Sequence, residues 1–202
     1  MAVKNADGII LPFTPSTTGF SVGFWWRPHN ISQDHALFNW ESTFDRNGIS
    51  FRQNSGGALA VVGSNAAGTV FVLTNGSNEV PGVWTHLTLT YNSSHAIKIY
   101  KFASQILSGS GTITTNGTLP ALGKRSFTNS MFAIGLFKNI TFQNTDTAWS
   151  SAQITELKER NIVPNGAVQW PDNANFSDLN GLNKFSIFGS PNFMSNVPSQ
   201  FN

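Results

Sequence analysis

The chain has 202 residues, with 12 Lys and Arg, 10 Asp and Glu, and a formal net charge of +2. The basic residues form no cluster, which excludes the positive surface expected of a nucleic-acid-binding protein, and no apolar run is long enough to cross a bilayer. Cysteine is absent, so disulfides and thiolate metal sites are excluded. Abundant Asn, Ser, Thr and Gly, together with 17 Phe, favour short strands joined by polar turns. We therefore expect an all-β protein with no nucleic-acid or membrane partner.

The first long strand is predicted at residues 19–27, after a shorter one at residues 9–11. Large apolar side chains occupy alternate positions of the longer strand, namely Phe20, Val22, Phe24 and Trp26. Alternate residues of a strand share a face, so Trp25 is predicted on the opposite face, and Pro28 ends the strand. The apolar set should form one stripe of the core.

Four shorter strands are predicted next, at residues 36–40, 48–52, 58–62 and 69–73. The first two form a hairpin whose turn ends in Asn47-Gly48. This dipeptide tolerates the positive φ that tight hairpins need. Clusters of Gly, Ser and Asn separate the later strands.

The clearest strand pair lies at residues 84–91 and 97–102. Leucine and tyrosine alternate with threonine in the first strand, and isoleucine flanks Lys98 in the second. This is the period-2 pattern of half-buried antiparallel strands. Beyond the pair come a segment rich in Gly, Ser and Thr at residues 108–117 and two further predicted strands at residues 131–137 and 140–142.

One helix is predicted, at about residues 150–160. Ser150 is a suitable N-cap, and Gln153 three residues later completes a capping box. Trp149 and Ile154 have the spacing of a hydrophobic staple, in which a residue before the cap packs on the first helical turns.

Three of these segments, in this order, resemble motifs of the laminin-G-like branch of the concanavalin A-like lectin/glucanase superfamily. They are FSVGFWWRP at residues 20–28, WTHLTLTY at residues 84–91 with the IKIY strand after it, and the strand and helix within residues 137–157. The resemblance implies a jelly-roll β-sandwich of two antiparallel sheets with one short helix near residues 150–160. It assigns residues 1–160 to the sandwich. Residues 161–202 are predicted to be a C-terminal extension that packs on the sandwich or on a partner.

Enzymatic activity is not expected. Retaining glucanases of the superfamily place paired acids at alternate positions of one strand, so that both reach one cleft. None of the four glutamates has an acid two residues away; they are Glu41, Glu79, Glu156 and Glu159. The four histidines also lack metal-ligand spacing.

Aromatic residues are the main candidates for binding, because tryptophan stacks on sugars and anchors protein interfaces. We predict Trp25, Trp40 and Trp170 as contacts to a glycan or a partner, and Trp26 and Trp84 as core residues. The oxygen donors Asp34, Asp45 and Asn47 are the candidates for a weak Ca²⁺ site, such as many laminin-G-like domains hold at the rim. No other cofactor is expected.

Two functions remain open at the level of sequence. The sequence starts at Met without an export signal, yet resembles domains that work outside cells. This combination favours a non-enzymatic virion surface protein made in the host cytoplasm, most simply a bacteriophage capsid decoration protein with capsid or other virion proteins, and further copies of itself, as partners. The alternative is a lectin-like glycan-binding module of a receptor-binding structure or adhesin.

Overall fold

The structure is a computed structural model that describes residues 2–3, 8–11, 13–43, 46–114, 118–124, 133–170 and 186–188. This part of the chain holds fourteen strands and one helix, α1 (Ser151–Arg160). The strands, in chain order, are β1 (Ala2–Val3), β2 (Gly8–Ile10), β3 (Phe20–Pro28), β4 (His35–Trp40), β5 (Gly48–Gln53), β6 (Ala58–Asn65), β7 (Gly68–Asn78), β8 (Thr85–Tyr91), β9 (Ala96–Lys101), β10 (Ser104–Ser110), β11 (Ala121–Leu122), β12 (Gly135–Asn144), β13 (Val168–Trp170) and β14 (Ser186–Phe188).

These strands form two antiparallel sheets of seven strands each. Sheet I has the order β1-β12-β3-β8-β9-β10, with β13 also paired to β12. Sheet II has the order β14-β2-β11-β4-β5-β6-β7. The architecture confirms the predicted all-β class, with two antiparallel sheets and one short helix in the manner of a jelly-roll sandwich.

The core lies between the two sheets and is strongly aromatic. The predicted stripe of β3 is fully buried there. The rings of Phe24 and Phe51, from opposite sheets, lie 6.1 Å apart, and those of Trp26 and Phe137 lie 4.7 Å apart. Alternation within β3 therefore sends its other side chains to the outer face of sheet I.

The β4–β5 hairpin turns as the sequence predicts. Asn47 has a φ of 50° and Gly48 a φ of 150°. A Cβ on Gly48 would lie 1.5 Å from the carbonyl oxygen of Trp40. Only glycine fits this close approach of two backbones.

Two elements differ from the sequence prediction. The two strands predicted within residues 131–142 are one strand, β12, which continues through a bulge between Lys138 and Thr141 while Asn139 takes a φ of 49°. Edge strand β10 occupies part of the Gly- and Ser-rich segment, because its backbone pairs with β9 and only some of its side chains need burial.

Helix α1 packs on the outer face of sheet I. Ser150 and Gln153 form the predicted capping box, and Trp149, Ile154 and Leu157 pack with Tyr100 of β9 in a second apolar cluster. Gly23 of β3 lies underneath, where an added Cβ would be 3.2 Å from both Leu157 and Trp149. Within the described residues, no helix is long and apolar enough to span a membrane.

Residues beyond α1 add strands to both sheets. β13 pairs with β12 through Ile140 and Trp170, and β14 pairs with β2 through Ile9 and Ile187. The predicted contact of residues 161–202 with a partner stays a prediction.

Candidate functional site

The outer face of sheet I carries two contrasting regions, one at each end of α1. Strand register places Lys138, Trp25 and His86 in one row across β12, β3 and β8. Thr90 of β8 lies beside Lys98 of β9 in a row farther along the same face. The helix begins near the second row. Its last turn contains Lys158, whose positive charge contributes to lowering the pKa of His86 in the first row.

The second row forms the floor of a pocket that we call the polar pocket. Its volume is about 450 Å³, which suits a small ligand such as an oligosaccharide unit. Strands β8 and β9 with their turn form one side, and the segment leading into α1 forms the other. The lining residues are Thr90, Asn92, Ala96, Lys98, Tyr100, Asp146, Thr147, Ala148, Trp149, Ser150 and Ser151.

Two polar side chains of the floor have no partner within the described structure. Thr90 is 1% exposed, and its Oγ1 atom makes no hydrogen bond. No described carboxylate pairs with Lys98. A buried hydroxyl without a partner costs about 1–3 kcal/mol, and a polar ligand that reaches the Thr90 hydroxyl would remove that cost.

The opposite wall is held in place by hydrogen bonds to two other segments. The backbone oxygen of Asp146 accepts the N–H of Ser93 in the β8–β9 turn at 3.2 Å. The side chain of Asp146 accepts from the Thr18 hydroxyl, and the N–H of Trp149 donates to Ser21 Oγ at 3.2 Å. The pocket is therefore shaped before any ligand enters.

The start of α1 contributes positive potential to the pocket. The first turn contains no acidic residue, so the N-terminal end of the helix dipole is not neutralised locally. The capping box occupies the N–H groups of Ser150 and Gln153. No described group accepts from the N–H of Ser151 or Ala152.

The other end of α1 meets what we call the aromatic region, formed by Trp25, Trp84, His86, Phe102 and Lys138. The ammonium group of Lys138 makes cation–π contacts here: its Nζ atom lies 4.8 Å from the Trp84 ring centre and 5.5 Å from that of Trp25. The imidazole of His86 packs edge-on to Trp25 at 5.3 Å. Burial, with a smaller contribution from Lys158, lowers the pKa of His86 to about 4.

The three tryptophans predicted as contacts have different positions. Trp25 is 8% exposed and belongs to the aromatic region. Trp40 is 0% exposed, and its indole N–H donates to the carbonyl of Thr118 at 2.9 Å. The prediction for Trp40 is therefore wrong, because its ring fills the core against Phe20. The backbone of Trp170 lies in β13, and its side chain is outside the described structure.

The prediction that both Trp26 and Trp84 are core residues is only half right. Trp26 is fully buried and donates from its indole N–H to Gln53 at 2.9 Å. Trp84 precedes β8 and is partly exposed on the outer face. Its apolar area is covered by Lys138 instead of by the core.

The predicted calcium ligands do not come together. Asp34 precedes β4 and Asn47 precedes β5, and the two strands are antiparallel, so the two residues lie at opposite ends of one hairpin, roughly 20 Å apart at 3.3 Å per residue. Asp34 accepts the N–H of Ser55, and Asn47 accepts from the Thr114 hydroxyl. Asp45 lies outside the described residues. In the described part of the chain, no group of three or more His, Cys, Asp and Glu could hold a metal ion.

The buried glutamates are engaged in structural contacts. Glu41 accepts from Asn39 at 2.7 Å, and Glu79 pairs with Lys101 at 2.8 Å. Among the residues that line the polar pocket, Asp146 is the one acid. The pocket thus lacks the two facing carboxyl groups that glycoside hydrolysis requires.

Sequence reasoning missed the polar pocket, although part of its signal was visible. The alternating pattern of residues 84–91 and 97–102 puts Thr90 and Lys98 on the polar side of their strands. That they are direct neighbours depends on the register of β8 and β9. No local sequence pattern predicts that residues 146–151 lie against β8 and β9 and form the other side of the pocket.

The sequence matches the family model of the concanavalin A-like lectin/glucanases superfamily over residues 4–155. The chain belongs to this superfamily. No match is found among curated proteins. Three solved structures share the fold with this chain at low sequence identity.

One of them is a putative carbohydrate binding protein from Bacteroides ovatus, with a TM-score of 0.73 and 11% sequence identity to this chain. The match covers 96% of this chain and 59% of that one, so the chain spans little more than half of that protein. The heptameric SAP-like pentraxin of Limulus polyphemus has a TM-score of 0.61 and 14% identity, covering 95% and 98% of the two chains.

The carbohydrate-binding module of a Ruminococcus gnavus sialidase, bound to α2,3-sialyllactose, has a TM-score of 0.55 and 10% identity. The match covers 70% of this chain and 83% of the module. At these identities the likeness shows the shared fold alone.

Proposed function

We propose that this domain is a non-catalytic carbohydrate-binding module and that the polar pocket holds the sugar. The observation that carries the proposal is the pocket itself, whose lining brings Thr90, Lys98 and Asp146 together with the aromatic residues Tyr100 and Trp149. Sugars present hydroxyl groups and apolar ring faces together, and sites of this mixed lining suit them.

The fold relatives add support of a general kind. Two of the three structures described above are named for carbohydrate binding. The single acid of the pocket favours binding over hydrolysis. The comparisons lend no support to the capsid-decoration prediction and favour its alternative, the lectin-like module.

A glycan array with the labelled domain tests the proposal. We expect selective, saturable binding to a subset of glycans, and loss of that binding in Thr147→Trp, where an indole on an exposed lining residue fills the pocket. Thr69→Trp is the matched control, since Thr69 is an exposed threonine of β7 in sheet II.

Two results would overturn the proposal. If the folded domain bound no glycan on the array, the proposed function would be wrong. Unchanged glycan binding by Thr147→Trp, with loss in Thr69→Trp, would move the site to the other sheet.

A further inference from the structure

We infer that the polar pocket selects glycans that carry a negatively charged group, which binds between Lys98 and the first turn of α1. The inference rests on the proposed function and names the class of sugar. The charge could be a carboxylate or a sulfate, because both are compact anions that accept hydrogen bonds from ammonium and backbone N–H groups.

Lys98 has no acidic partner within the described structure. Lys138, on the same face of sheet I, is held over two indole rings, whereas Lys98 lines an open pocket and no described acid pairs with it. Asp146 lines the same pocket without forming an ion pair with Lys98. The ammonium of Lys98 is therefore available to a ligand.

Thr90, whose hydroxyl is buried, lies directly beside Lys98 in the register of β8 and β9. Its Oγ1 atom has no hydrogen-bond partner in a residue that is 1% exposed. A hydroxyl can donate to an anion. Thr90 lines the same pocket as Lys98, and its unpartnered hydroxyl is an observation independent of the helix.

The start of α1 supplies backbone donors for an anion. Ser151 lines the pocket, and the N–H groups of Ser151 and Ala152 have no acceptor in the described structure. An anion at a helix N-terminus gains from these donors and from the dipole. The first turn carries no acidic side chain that would already fill this role.

Asp146 sets the orientation of the sugar. Its backbone contact to Ser93 keeps it at the end of the pocket near the β8–β9 turn. A carboxylate there repels an acidic group and accepts hydrogen bonds from sugar hydroxyls. The charged group is thereby directed towards Lys98 and the hydroxyl-rich part of the ligand towards Asp146.

The test is titration calorimetry of the whole chain with three probes: 3′-sialyllactose, 3′-sulfated lactose and lactose. Lactose is the neutral core of both acidic sugars. We expect at least one acidic sugar to bind about tenfold or more tightly than lactose, the effect of one hydrogen bond to a charged group. The two acidic sugars distinguish carboxylate from sulfate, and higher salt should weaken the preference.

Variants locate the preference. Lys98→Gln should reduce affinity for the acidic sugar about tenfold or more, to the level of lactose. Thr90→Val, which keeps the shape of the side chain, should reduce it less. Lys138→Gln is the matched control, because it removes one positive charge from the same sheet face outside the pocket, and it should leave binding unchanged.

The failure of this inference is distinct from that of the proposed function. Equal binding of lactose and the acidic sugars, unchanged in Lys98→Gln, would overturn the charge selectivity and leave the glycan-binding module standing. Binding of neutral array glycans with no binding of either acidic probe would do the same. Failure to bind any glycan would overturn both.

Discussion

The two ends of α1 place the same kind of residue in opposite situations. In the aromatic region Lys138 lies over the rings of Trp25 and Trp84, and the imidazole of His86 packs against Trp25. In the polar pocket Lys98 and Thr90 face space that no described side chain fills. Both lysines project from the outer face of sheet I, so the strands alone do not decide the role.

The difference between the two lysines shows that residues that stabilise the fold and residues available for binding occupy separate regions of the outer face of sheet I. A cation held against aromatic rings contributes to folding. A cation left open beside an unbonded hydroxyl contributes little to folding and is free to bind. Changes in the aromatic region should therefore affect stability, and changes on the pocket floor should affect ligand binding.

The largest effect is expected at Trp149, which joins the two regions by docking the helix. Its ring is buried with Ile154, Leu157 and Tyr100, so Trp149→Ala should reduce the free energy of unfolding by about 3–5 kcal/mol. Trp84→Ala should cost less because Trp84 is only partly buried. Urea unfolding of both variants measures the difference, and equal losses would show that the helix is not docked through Trp149.

The next effect is a pH dependence caused by His86. Its pKa is about 4 in the folded state against 6.5 unfolded, so the unfolded chain binds the extra proton first as the pH falls. The contribution of neutral, buried His86 to the free energy of unfolding is present above pH 6.5 and is lost progressively as the pH falls towards 4. Lowering the pH from 7 to 5 should cost about 2 kcal/mol.

His86→Gln removes this titration and is the control for effects of pH that do not involve His86. Unfolding curves at pH 7 and pH 5 should therefore differ less for His86→Gln than for the wild type. An identical pH slope in both proteins would show that His86 is not buried in its neutral form.

A smaller effect is expected at Lys138. Lys138→Gln removes the cation from two indole rings and should reduce stability by about 1 kcal/mol. Thermal unfolding measures it, with Lys138→Arg as the variant that keeps the cation–π contact. Loss of stability in the arginine variant equal to that in the glutamine variant would attribute the effect to packing of the lysine stem.

The smallest effect on stability is expected at Lys98. Lys98→Gln breaks no contact within the described structure, so the free energy of unfolding should change by less than about 0.5 kcal/mol. A destabilisation as large as that of Lys138→Gln would remove the contrast between the two regions, because Lys98 would then have a structural partner.

The sequence predicts the parts of this fold that depend on local pattern. Alternation in β3 and β8 identifies the core stripe, and the Ser150–Gln153 capping box identifies the helix, because both signals are contained within a few neighbouring residues. Trp40 shows the limit: it lies at the end of β4, and its burial is completed by Thr118 from a distant segment.

The candidate site was predictable only in fragments. The polar side of β8 and β9 marks Thr90 and Lys98, but their adjacency requires strand register, and the pocket requires the segment at residues 146–151 to fold back over them. Asp34 and Asn47, two of the predicted calcium ligands, are apart for a related reason, since they are close in the chain and lie at opposite ends of a hairpin.

The most direct test of the central claim is a map of the contact surface by ¹⁵N–¹H correlation spectra during titration with a glycan selected by the array. We expect the perturbed amides to cluster at Thr90, Asn92, Lys98 and residues 146–151. Amides near Trp25 and Trp84 should remain unperturbed. Perturbations centred on the aromatic region or on sheet II, with the polar pocket silent, would contradict it.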